Sequence, residues 1–153
     1  MNLIFRMLFV WLRTLGCERM TMENAANRLP LRVLPNDLDI NLHMNNGRYL
    51  TICDLNRIDM FIRSGLVKTM RKRGWFPVIA EHTMSYKKSL HLFERYIAEM
   101  ELTHHDEKYF YMTHTFRTKD RIAASGTSRG AIRSREGVIP PEQVLAAITE
   151  DNP

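Results

Sequence analysis

The chain has 153 residues, the length of one compact domain, and such a domain buries roughly two-thirds of the surface its unfolded form exposes. Its composition, 44% hydrophobic and 25% charged, excludes global disorder. A net charge of +5 suits an anionic partner, such as a phosphorylated cofactor, an acidic carrier protein or a membrane surface. No zinc-finger spacing, RNP-like aromatic segment or helix-turn-helix pattern accompanies that charge, so nucleic acid is not an expected partner. Cys17 and Cys53 lack CxxC spacing, which excludes zinc and thioredoxin chemistry and suits a reducing cytosol. Neither a metal nor an organic cofactor is expected.

Residues 1–16 stand apart. Ile4, Leu8, Trp11, Leu12 and Leu15 fall on one helical face, Arg6 and Arg13 share another, and Gly16 is a helix stop. The segment falls short of the about 20 apolar residues of a spanning helix. Arg13 sits where a signal peptide would continue toward its cleavage site. Two readings remain. One is peripheral membrane contact at the inner membrane surface, with Phe5, Phe9 and Trp11 in the interface. The other is a helix packed on the domain or on a neighbouring subunit. The expected organisation is this helix over residues 1–17 and a domain over residues 28–150.

Residues 18–27 are polar and read as a loop. Arg28 to Leu34 alternates as a strand stopped by Pro35, and the Asn- and Asp-rich run from Asn36 to His43 reads as a loop. From about Asn46 apolar residues recur at three- and four-residue intervals to Ile62, which predicts a long helix ending near Gly65. Asn45 or Asn46 is its N-cap. A short basic stretch, Lys68 to Arg73, is closed by Gly74. Four strands follow: Trp75 to Lys88, then segments around Tyr96 to Leu102, Phe110 to Phe116 and Ile122 to Ile132. Turns fall at Asp106-Glu107 and Lys119-Asp120. Pro140-Pro141-Glu142 opens a short helix through Ile148. One long helix against an antiparallel sheet is an α+β arrangement, and the helix has enough apolar surface for the sheet to wrap it.

The segment before the long helix reads Asp37-Leu38-Asp39-Ile40-Asn41-Leu42-His43-Met44-Asn45-Asn46-Gly47-Arg48-Tyr49. Between a strand and a long helix, it resembles the hotdog-fold thioesterases. The 4-hydroxybenzoyl-CoA thioesterase group carries Asp-x-Asp here, and many relatives read Asp-x-Asp-x-x-Gly-His-Val-Asn-Asn-x-x-Tyr. It is also similar to the Asp-x-Asn-x-His-x-Asn-Asn stretch of plant acyl-carrier-protein thioesterases. The resemblance covers residues 28 to 135 or so. It implies a hotdog fold and hydrolysis of acyl-CoA or acyl-carrier-protein thioesters in lipid metabolism. It also implies an acyl tunnel between helix and sheet, and a homodimer or homotetramer. Leu42 departs from the common Gly, and Ser85 stands where the plant enzymes have a further carboxylate.

Thioester hydrolysis needs a nucleophile, or a base that makes one from water, and donors for the developing oxyanion. Asp39 is the candidate carboxylate. Asn41 would orient water or that carboxylate, and His43 would share in proton transfer or hold the loop. The amides of Asn46, Gly47 and Arg48, in the helix's first turn, would polarise the carbonyl; one such donor is typically worth roughly 3 kcal/mol of barrier. Lys87 and Lys88 are candidates for the phosphates of the substrate, as is the basic run of Lys68, Arg71, Lys72 and Arg73. Plainer roles are expected for the rest: Asn45 and Asn46 as a cap, Asp37 as a loop or solvent residue, and Tyr49 in packing. Asp54 would support the site from behind. His82, His91 and His114 read as surface or strand residues, and His104-His105 as a turn. Two alternatives stay open: a hotdog hydratase or dehydratase, or a non-catalytic acyl-binding or membrane-associated module. Asp39, Asn41 and His43 resemble the hydratase segment Asp-x-Asn-Pro-x-His, without its Pro and with the His one residue early.

Overall fold

In the computed structural model, which describes residues 2–153, helix α1 spans Asn2–Thr14 and strand β1 spans Ala26–Arg32. The long helix α2 runs Asn46–Arg63, followed by α3, Leu66–Arg73. Strands β2 (Phe76–Tyr86), β3 (Arg95–His105), β4 (Phe110–Arg117), β5 (Ile122–Ser134) and β6 (Gly137–Ile139) come next, and α4 (Pro141–Asp151) closes the chain.

The sheet is antiparallel in the order β1-β3-β4-β5-β2, with β6 paired to β5. It curls around α2. Gly126 is required where β5 meets β2, because a Cβ there would sit 2.0 Å from the Thr83 carbonyl oxygen. The alternation of β3 buries Tyr96, Ala98, Met100 and Leu102, as the sequence pattern predicts. Two apolar clusters fill the space between helix and sheet. One gathers Leu29, Ile52, Leu55, Tyr96 and Phe116. The other is rich in methionine, with Met60, Met70, Met100 and Met112 around Phe110 and Val144.

The structure corrects several local expectations. The basic stretch of residues 68–73 belongs to α3, bounded by Gly65 and Gly74, both left-handed. Lys72 and Arg73 are held there by ion pairs to Asp151 of α4, at 2.5 and 2.8 Å. His104 and His105 end β3 rather than forming a turn. Strand β1 begins two residues earlier than expected and stops at Arg32. On its outer side β2 pairs with no strand among the described residues, and Phe76, Ile79 and Tyr86 are exposed along it.

Candidate active site at the head of the central helix

The loop from Pro35 to Asn45 is a compact hydrogen-bonded unit. A single 3-10 turn, Pro35–Asp37, opens it. Asp37 is fully buried, which corrects the expectation of a solvent residue. Its Oδ2 accepts from Arg6 Nη2 at 2.6 Å and from the Leu34 amide at 2.8 Å, and Arg48 Nε lies 3.7 Å from Oδ1. A buried carboxylate needs such partners, since desolvating it unpaired is prohibitive.

Two residues on, Asp39 is half-buried. Its Oδ1 accepts from the Asn41 amide at 2.8 Å and from the His43 amide at 3.4 Å. Oδ2 takes no partner among the described residues. The Asp39 amide donates to the His43 carbonyl at 2.9 Å, and the Leu42 amide returns to the Asp39 carbonyl at 3.1 Å. One carboxylate oxygen is thus fixed by the loop while the other stays available. The tight return forces Leu42 to φ 60°, where its Cβ is strained and a glycine would be at ease. Leu42 is 70% exposed and Ile40 97% exposed at the loop tip, with the side chain of Asn41 beside them.

Asn45 caps α2, its Oδ1 accepting from the Gly47 amide at 2.8 Å. Its carbonyl accepts from the Arg48 amide at 2.9 Å. Of the three amides considered for the carbonyl, those of Gly47 and Arg48 are therefore already engaged. The Asn46 amide takes no partner among the described residues. Tyr86 braces this turn from β2, its hydroxyl donating to the Asn46 carbonyl at 3.1 Å, a contact with no sequence signal beyond a strand-end tyrosine. Tyr49 is buried in packing, edge-on to Tyr86 and Phe116.

His43 and Lys88 meet in one open cavity of about 550 Å³, together with Ser89, His91, Glu94 and Arg121. The His43 and His91 rings are edge-to-face, 4.9 Å apart. Arg121 is tied to Glu94 at 2.7 Å, which leaves Lys88 as the cation of that cavity without an ion pair among the described residues. Lys87 is exposed beside it but does not line it, and neither does Asp39.

Sequence reasoning missed a buried polar layer further along α2. Arg57 is almost fully buried; it pairs with the exposed Asp54 and donates through Nη2 to Ser128 Oγ at 3.2 Å and to His82 Nδ1 at 3.3 Å. Asp54 therefore neutralises Arg57 rather than supporting Asp39. His114, buried on β4, lies with Nε2 2.8 Å from Ser128 Oγ. Burial, reinforced by Arg57, pushes the His114 imidazole down to about 3 and lowers that of His82 in the same order of causes. Burial also pushes the Cys53 thiol up to about 12, so it is no nucleophile at neutral pH. Ligand atoms of Cys53, His82 and His114 lie within 4.8 Å of one another. The trio does not suit a metal ion. Arg57 can only donate to His82 Nδ1, so the neutral ring carries its proton on Nε2, and the guanidinium itself repels a cation.

The sequence model of the thioesterase-like superfamily matches residues 33–148. Protein THEM6 of Xenopus laevis is 37% identical over 119 residues, covering 76% of this chain. The chain spans only 55% of that relative's length. Among solved structures, the probable thioesterase YbaW of Escherichia coli superposes with a TM-score of 0.73 at 17% identity, covering 81% of this chain and 96% of its own. A Staphylococcus aureus protein solved in complex with CoA gives a TM-score of 0.70 at 15% identity, covering 90% of each chain. At such identities the likeness is one of fold, and that fold is the hotdog: a curled antiparallel sheet around a long helix. With its fold and most of its length matched, the chain belongs to the thioesterase-like superfamily of hotdog proteins.

Proposed function

We propose that the chain hydrolyses acyl thioesters, with acyl-CoA as carrier in preference to an acyl carrier protein. The observation that carries this reading is the asymmetric hold on Asp39. One carboxylate oxygen is fixed by two loop amides; among the described residues the other is unclaimed, as is the Asn46 amide at the head of α2 seven residues on.

The thioester carbonyl oxygen would accept from the Asn46 N–H, at the positive end of the helix dipole. Asp39 Oδ2 would then take a proton from water as the water oxygen bonds to the carbonyl carbon. Direct attack by the carboxylate, followed by hydrolysis of the mixed anhydride, gives the same products. Either route breaks the carbon–sulfur bond and yields a carboxylate and a thiol. His43 would steady the loop through its amide and face the departing thiol's carrier from the neighbouring cavity. Lys88, seconded by Lys87, supplies the positive charge for the carrier's phosphates. A second copy is proposed to cover the outer side of β2 and the exposed loop tip, giving a homodimer; light scattering that returns the monomer mass would overturn this. The two free cysteines fit a cytoplasmic location.

The test is thiol release from acyl-CoAs of rising chain length. Wild type is expected to release thiol, and Asp39→Ala to lose on the order of a hundredfold to a thousandfold in kcat/KM. Equal inactivity of both proteins on every acyl-CoA and acyl-carrier substrate would sink the hydrolase. Equal activity would keep the hydrolase and remove Asp39. Hydration of an enoyl-CoA without thiol release would turn the reading to the hydratase.

A further inference from the structure

Helix α1 is packed the opposite way from an ordinary surface helix. Its two arginines face the protein, and its large apolar side chains face away. Arg6, 8% exposed, reaches the fully buried Asp37, and donates to the Arg32 carbonyl at 3.0 Å. Arg13 lies 3.4 Å from the fully buried Asp59 and donates to the Arg28 carbonyl at 3.0 Å. Val10, between them, is completely buried. Outward stand Ile4, Phe5, Leu8, Trp11, Leu12 and Leu15, each between 49% and 70% exposed. A contiguous apolar face of this kind marks a binding surface. No helix among the described residues is long and apolar enough to cross a membrane.

The charge that α1 hides reappears beside it. An open groove of about 790 Å³ runs along its flank, with Phe9, Leu31, Leu34 and Ile97 as apolar lining. Its other lining residues include Arg32, Arg95, Arg117 and Lys119. Arg117 is committed to Glu99 at 3.1 Å. Arg32 and Arg95 are direct cross-strand partners of β1 and β3, and neither has an ion pair among the described residues. Like charges in that relation destabilise a sheet unless an anion lies between them, and two guanidinium forks match the oxygens of a phosphate.

We propose that this end of the molecule is a membrane-binding site for anionic phospholipid. Helix α1 lies in the plane of the bilayer surface with its apolar face among the acyl chains. Arg32 and Arg95, with Lys119, take the headgroup phosphate at the mouth of the groove. Phe9, half-exposed and lining the groove, belongs to both parts of the site. A second copy of this chain is a poorer occupant, because a two-fold contact of α1 faces would bring two cationic rims together. The proposal does not depend on the hydrolase reading.

Sedimentation of the full chain with vesicles tests it. The vesicles are phosphatidylcholine alone, or phosphatidylcholine mixed with phosphatidylglycerol. Wild type is expected to pellet with the mixed vesicles and to stay largely in solution with phosphatidylcholine. Leu8→Gln with Leu12→Gln, both exposed, should abolish pelleting. Arg32→Gln with Arg95→Gln should weaken it on the order of tenfold or more, with hydrolysis of a soluble short-chain acyl-CoA unchanged. Circular dichroism of each variant guards against misfolding. Failure of wild type to pellet with either vesicle overturns the site. Equal binding to both vesicles, insensitive to Arg32 and Arg95, overturns the phosphate contact. A concentration-dependent dimer lost in the Leu8/Leu12 variant, with no vesicle binding, replaces the lipid with a second copy.

Discussion

Asp37 and Asp39 lie two residues apart on one loop and have opposite surroundings. Asp37 is sealed from water and held by Arg6, Arg48 and the Leu34 amide. Asp39 is anchored through one oxygen only, by amides of its own loop. The first is built into the structure from a distance; the second is positioned locally, with its other oxygen open among the described residues. Side-chain chemistry is the same in both, so the difference lies in what each carboxylate has already spent its lone pairs on.

The largest effects should separate the pair by kind. Asp37→Ala strands Arg6 in the interior and should cost about 3–5 kcal/mol of stability in urea unfolding, with turnover falling only as far as the loop it anchors loosens. Asp39→Ala should do the reverse, shifting stability by less than about 1 kcal/mol while hydrolysis collapses. A loss of stability shared equally by both would erase the contrast.

An effect of similar size, spread over several pH units, comes from the buried layer behind the site. The folded His114 titrates near 3 against an ordinary value of 6.5, so the unfolded chain takes up the proton first as the solution is acidified. Its contribution is intact above about pH 6.5 and is lost as the pH falls toward 3, with a slope of about 1.4 kcal/mol per pH unit. His82 acts in the same direction. His114→Gln should flatten that part of the pH–stability curve; an unchanged curve would show that the ring is hydrated in solution. The smallest effect belongs to the loop. Leu42→Gly should relieve the left-handed strain and raise stability by about 1 kcal/mol, read as a rise of roughly 2–4 °C in Tm. A fall in Tm would mean that Leu42 is held by contacts outside this chain.

Much of this was legible in the residues. The alternation of β3 and β4, the cap at Asn45 and the packing role of Tyr49 follow from local pattern, and the structure repeats them, whereas β5 buries neighbouring pairs such as Ala123 and Ala124 instead of alternating. The strain at Leu42 is visible as the one residue standing where relatives place glycine. Asp37 was not legible, because its burial depends on Arg6, 31 residues away in sequence. Helix α3 was hidden by four basic residues whose support comes partly from Asp151 at the other end of the chain. The polar layer is spread over α2, β2, β4 and β5, so no local pattern contains it. One clue was present: His114 falls in step with Met112 and Phe116, on the apolar side of its strand.

The inward arginines of α1 have a geometric consequence. A free amphipathic helix can roll about its own axis on a surface, and whatever it carries can swing with it. Here the helix is pinned two turns apart, at Asp37 and at Asp59, so its roll angle is locked to the body of the protein. It would act as a keel rather than a tether, so the protein would meet a bilayer at one tilt. One of those pins is the carboxylate two residues before Asp39, so a single joint would set both the attitude of the molecule on a surface and the shape of the candidate loop.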